Sequence, residues 1–144
     1  MFDYKEIERT IKDNNLLFQK IENADKEWLI QRLYDTFVVG NPRALWLNFK
    51  YVPYSIDCNR EDPYWHLLDV IDKNTVLYFI INYWNKDFVI YKARMSDIHV
   101  FIGDCEGLDE FYLMTLDFME LYSITDHDDL LHIDVRKNKK YLIN

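Results

Sequence analysis

Between Met95 and Val135 the chain carries eleven acids (Asp97, Asp104, Glu106, Asp109, Glu110, Asp117, Glu120, Asp126, Asp128, Asp129, Asp134) and no lysine or arginine. The same window holds Phe101, Phe111, Tyr112, Phe118 and Tyr122. The formal charge of the whole chain is −8, so the residues outside the window sum to +3. An acidic stretch this rich in rings can bury enough apolar surface to offset the entropy of ordering, which a disordered acidic tail cannot do. The window is therefore expected to fold. Glu110 to Thr115, Glu120 to Thr125 and Leu130 to Val135 are three short strand candidates, joined by acid-bearing turns at Asp117 and at Asp126 to Asp129.

Upstream, Thr75 to Tyr83 and Asp87 to Ala93 are β-branched and aromatic runs flanking Trp84, Asn85 and Lys86, the pattern of a hairpin. From Ala44 to Tyr51 the apolar spacing has period two, with Leu45, Leu47 and Phe49 on one side and Trp46, Asn48 and Lys50 on the other, which predicts a further strand. Helical spacing appears from Asp3 to Asn14. It returns after Asn23, read as an N-cap, with Leu29, Leu33 and Phe37 four residues apart and a stop at Gly40, Asn41 and Pro42. Asp62 and Pro63 read as cap and first-turn proline of a helix that turns Leu67, Leu68 and Ile71 inward. Leu16 to Ile21 fits either a strand or more helix, and Ser96 to Ile102 fits a short helix ended by Gly103 or a strand. N-terminal helices packed on an antiparallel β-meander sheet make this an α+β chain. One domain over 1–144 is expected, with the basic tail 136–144 frayed.

A chain of 144 residues removes roughly 68–70% of its unfolded surface from water on folding, enough for a sizeable core. Three glycines leave no material for a phosphate-cradling loop. The net charge disfavours nucleic acids and anionic membranes, both held by Lys and Arg. The longest apolar run, Val76 to Ile81, is too short to span a bilayer, and Met1 to Lys12 lacks a signal-peptide core, so a soluble cytoplasmic protein is expected. Cys58 and Cys105 form no Cys-x-x-Cys pattern and read as two reduced thiols.

Asp126-His127-Asp128-Asp129 with His132 invites a metal, but the sequence is not an EF-hand loop: Leu131 stands where the glycine belongs and Lys137 where the glutamate belongs. The segment reads as a polar turn, and neither a metal nor a cofactor is expected. No nucleophile elbow or kinase motif occurs, and Asp109 and Glu110 are strand neighbours pointing opposite ways, so no catalytic residues are assigned. Trp46, Tyr51, Tyr54, Trp65, Tyr83 and Trp84 are rings beyond what the helical and strand core faces require, and Trp and Tyr are common interface anchors. The expected partner-binding set is Asp104, Glu106, Asp109, Asp126, Asp128 and Asp129 with Trp46, Tyr54 and Trp84. Its expected partner is a basic protein, drawn in by the acidic field. Two other readings stand beside it. One is a small enzyme or ligand-binding domain with a pocket between helices and sheet, marked by a carboxylate beside His66, His99 or His132. The other is a homodimer that buries Trp46 and its neighbours.

The helix-first, meander-later order and the segment Phe111-Tyr112-Leu113-Met114 through Asp117-Phe118 to Tyr122-Ser123-Ile124-Thr125-Asp126-His127-Asp128 resemble a broad set of small, acidic, uncharacterised bacterial proteins, several of which are cytoplasmic immunity proteins for polymorphic toxins. The resemblance covers the last two thirds of the chain. It implies a non-enzymatic inhibitor that occludes a basic toxin domain, such as a nuclease, through an acidic face flanked by aromatic residues. It supplies no catalytic residues.

Overall fold

The computed structural model describes residues 4–84 and 87–141, with the side chains of Tyr83 and Trp84 outside the description. In chain order these residues form α1 (Tyr4–Asp13), β1 (Gln19–Ile21), α2 (Asn23–Phe37), a 3₁₀ turn (Leu45–Asn48), β2 (Tyr54–Ile56), a second 3₁₀ turn (Pro63–His66) running into α3 (Leu67–Val70), β3 (Val76–Trp84), β4 (Asp87–Arg94), α4 (Met95–Asp104), β5 (Phe111–Thr115), β6 (Glu120–Ile124) and β7 (Leu130–Asp134). The seven strands make one sheet in the order β1-β4-β3-β5-β6-β7-β2, with every neighbouring pair antiparallel. The fold is α+β, as the order of patterns predicts, with helices on both faces of the sheet.

Strand periodicity explains the two-sided packing. Leu77, Phe79, Ile81, Val89, Tyr91, Phe111, Leu113 and Ile124 alternate onto one face, where Ile7 of α1, Leu67 of α3 and Met95, Ile98 and Phe101 of α4 cover them. Ile80, Ile90, Tyr112, Met114, Leu121 and Ile133 alternate onto the other, beneath Leu29, Leu33 and Phe37 of α2 and Leu45 and Phe49. Strand β5, in the middle, is buried from Phe111 to Met114 without a break because each face has its own lid. A fully buried Leu, Ile or Phe contributes about 1.5–3 kcal/mol relative to exposure, so the two layers dominate the stability.

The caps follow local chemistry. Asp62 Oδ1 accepts from the Tyr64 N–H at 3.0 Å with Pro63 in the first turn, as expected. Helix α2 ends where Val38 turns extended and Gly40 adopts φ +67°, a conformation that costs glycine nothing. Its N-cap is Glu22 rather than Asn23, which itself sits at φ +58°.

Three expectations are corrected. Ala44 to Tyr51 is not a strand: Leu45–Asn48 is a 3₁₀ turn, with Leu45 and Phe49 buried and Leu47 46% exposed. Leu45 and Phe49 are four apart, and one turn of helix brings both onto the sheet, whereas period two would need Leu47 buried as well. Leu68 likewise faces solvent, while Leu67 and Ile71 are buried. The basic tail is not frayed through residue 141. The Val52 N–H donates to Lys139 O, the Tyr141 N–H donates to Lys50 O, and Asn138 Nδ2 donates to Val52 O and His132 O.

Candidate functional site

The eleven acids of the central window do not gather on one face. Asp134, almost fully buried, accepts from the Arg136 guanidinium at 3.0 and 3.1 Å and from its N–H at 2.9 Å. Those hydrogen bonds hold its carboxyl below the usual carboxylate range. Glu120 lies 3.0 Å from His132 Nε2 and 3.5 Å from Arg136. Asp117 accepts from Thr115 Oγ1 and the Met119 N–H within its turn, and its carboxyl is lowered by those bonds. Glu110 accepts from the Tyr112 hydroxyl, Asp104 from Asn14 Nδ2 at 2.8 Å, and Asp97 from the Leu17 N–H. The counter-ion that the window lacks thus arrives from Arg136, one residue past its end.

Three of the remaining five converge at one end of the sheet. Asp109 at the entry to β5 and Asp126 and Asp128 in the β6–β7 turn line a cleft of about 430 Å³ together with Asp62, which lies outside the window. Its apolar lining is Ile102, Leu108, Phe111 and Ile124, and its aromatic wall is Tyr64 and Trp65. Thr125, fully buried at the end of β6, accepts the His127 and Asp129 N–H groups on Oγ1. That bracing fixes a turn in which Asp128 takes φ +61°, a region that Asp tolerates better than most residues. Tyr64 stacks on His99 with ring centroids 4.2 Å apart and planes 8° apart, and Trp65 meets it edge-on at 5.1 Å. A Cβ on Gly103 would lie 2.6 Å from the Tyr64 hydroxyl oxygen; the missing side chain is what lets Tyr64 close that wall. Trp65 stays 68% exposed.

Among the described residues, none of the four lining carboxylates is paired with Lys or Arg, and Asp126 has only His127, at 3.9 Å. The Cys58 thiol lies in the field of several acids, of which only Asp62 lines the cleft. Burial pushes its pKa up, and Asp57, Asp62, Glu61 and Asp129 push it further. No histidine lines the cleft. His66 lies 3.3 Å from Glu61 and 3.7 Å from Asp69, and His132 is stacked on Tyr122. Among the described residues no three His, Cys, Asp or Glu side chains are grouped to hold a metal.

Of the residues expected to bind a partner, the structure brings together Asp109, Asp126 and Asp128, with Asp129 exposed on the same turn. Trp46 joins them at one remove, its ring edge-on to His127 at 5.7 Å. Asp104 points to α1 instead, Glu106 is exposed but does not line the cleft, and Tyr54, 67% exposed, stands on the outer edge strand opposite His132. The Trp84 side chain lies outside the described residues. Asp62 and Tyr64 are the members that sequence reasoning missed. Asp62 serves as helix cap and cleft wall at once, and only the cap role leaves a sequence pattern.

Among the described residues no helix is long and apolar enough to cross a membrane. No curated protein and no solved structure matches the chain. The model of a family of unknown function, DUF6756, matches residues 4–142. That span takes in every element from α1 to β7 and all four carboxylates of the cleft, and the chain belongs to this family.

Proposed function

We propose that the chain is a non-enzymatic protein-binding domain that receives a basic segment of a partner protein in the acidic cleft. The observation that carries this reading is the convergence of Asp62, Asp109, Asp126 and Asp128, unpaired with Lys or Arg among the described residues, around an apolar floor and beside the exposed Trp65. A concave site of one sign focuses its field and raises encounter rates with an oppositely charged partner by roughly tenfold to a thousandfold at low salt. An entering guanidinium or ammonium would find carboxylates at its head and an indole for its stem, and such desolvated aromatic contacts slow dissociation. The finer role, an immunity-type inhibitor that covers the active site of a basic toxin domain, rests on the resemblance of the meander segment and on this charge.

The test is affinity capture from native cell lysate at low salt, eluted by rising salt, with Asp109→Asn/Asp126→Asn/Asp128→Asn in parallel. Asparagine removes charge while still tolerating the left-handed backbone at Asp128. The expected result is one basic protein held by the wild type, released by salt and not held by the variant. If that protein is toxic when expressed alone and harmless when co-expressed with the wild type, the inhibitor role is supported. Equal retention by wild type and variant, or no protein retained at any salt, would overturn the reading.

A further inference from the structure

A second surface lies at the opposite end of β5 and β6, on the face covered by α2. Phe118, in the turn between those strands, sits at φ +62° although it is bulky and not glycine. Such a backbone costs of order 1–3 kcal/mol and persists only where the surroundings hold it. Its ring lies flat over Tyr78 at 6.0 Å and meets Trp28 edge-on at 5.5 Å. Above them the Arg32 guanidinium is 4.8 Å from the Phe118 ring centre and 5.9 Å from that of Trp28. Trp28 is 55% exposed, and Leu116 and Met119 of the same turn are exposed too.

Arg32 has no carboxylate within salt-bridge distance among the described residues. Its guanidinium carbon lies over both rings, and the residue is exposed to solvent. That is the arrangement that accepts a carboxylate through two parallel hydrogen bonds while excluding water from one side. A single arginine in a chain of charge −8 does not suit a polyphosphate, whose binding is held by many cations.

We infer that the Trp28–Arg32–Phe118 surface docks a protein segment presenting one carboxylate beside an apolar side chain, the acid on Arg32 and the apolar group on Trp28. This surface is distinct from the acidic cleft and is independent of its occupant. It gives the molecule docking sites of opposite sign at opposite ends of the sheet.

The experiment uses an immobilised panel of capped hexapeptides with one Glu flanked by Leu or Phe, alongside the same peptides with Gln or Lys at that place. Arg32→Gln and Arg32→Lys are read beside the wild type. Arg32 is solvent-facing, and circular dichroism verifies that the variants remain folded. The Glu peptides should bind the wild type at least about tenfold more tightly than their Gln counterparts, a difference of about 1.4 kcal/mol. Arg32→Gln should erase that preference, and Arg32→Lys should restore little of it, because the planar fork is lost. Equal binding of Glu and Gln peptides, or a preference that survives Arg32→Gln, would overturn the inference. So would concentration-dependent self-association abolished by Arg32→Gln, since the occupant would then be a second copy of the chain.

Discussion

Tyr112→Phe should be among the more damaging single-atom deletions in this chain. Tyr112 is fully buried, and its hydroxyl donates to Glu110 beside the backbone N–H groups of Leu45 and Trp46. That one oxygen therefore ties the start of the 3₁₀ turn to the centre of the sheet. Burial and Glu110 raise its pKa far above the phenolic range, so the hydroxyl stays a donor at any pH at which the protein is handled. Phenylalanine fills the same space but leaves the Glu110 carboxylate without its donor and the two N–H groups without the oxygen they face. Each orphaned buried group costs about 1–3 kcal/mol. Lifting the turn to admit water relieves part of this, so the net loss should be about 2–4 kcal/mol. For a chain of this size that lowers the melting midpoint by about 5–12 °C. Calorimetry gives the midpoint, and amide hydrogen exchange gives the location: Leu45 and Trp46 should lose protection before the neighbouring strands do. Glu110→Gln, which keeps a carbonyl acceptor for the hydroxyl, should cost under about 1 kcal/mol. A Tyr112→Phe protein with the wild-type midpoint and unchanged exchange at those two amides would refute the assignment.

Two further outcomes follow from the same structure. Asp134, held below its unfolded pKa of about 3.9 by Arg136, contributes stability that is fully present above that value and lost as pH falls through the folded one. Urea unfolding between about pH 5 and pH 2 should therefore fall more steeply for wild type than for Asp134→Asn, and parallel curves would remove the pair from acid unfolding. Leu45→Ala should cost about 2–5 kcal/mol, whereas Leu47→Asp, at an exposed position, should stay within about 0.5 kcal/mol; comparable losses would restore the strand reading of this segment.

The parts legible in the sequence are those where one local pattern had a single physical solution. The β3–β4 hairpin and the three strands from β5 to β7 follow from alternation broken by turn residues, and α2 from Leu29, Leu33 and Phe37. Leu45 to Phe49 misled because apolar residues at alternate positions also contain a pair four apart, and only the sheet beneath decides which pair is buried. Strand β2 left no signal, since Tyr54–Ile56 is three residues long, polar at Ser55 and preceded by Pro53. The site was half legible for a similar reason. Asp109, Asp126 and Asp128 sit at turns that the strand pattern places at one end of the sheet, but nothing local tells that Arg136, beside Asp134, also reaches Glu120, or that a helix cap 47 residues before Asp109 completes the cleft.

The strand order also sets a sequence of events in time. The middle of the sheet, β4-β3-β5-β6-β7, comes wholly from residues 76–134, whereas both edges come from the first 56 residues, β1 pairing at 90–92 and β2 at 130–132. Neighbours in the middle are close along the chain and can pair early, while each edge must close a long loop first. During synthesis the amino-terminal half leaves the ribosome with Ile7, Leu29, Leu33 and Phe37 and no sheet to receive them. Its helices and edge strands wait for a platform made after them, and the molecule completes itself from the carboxyl-terminal half backwards.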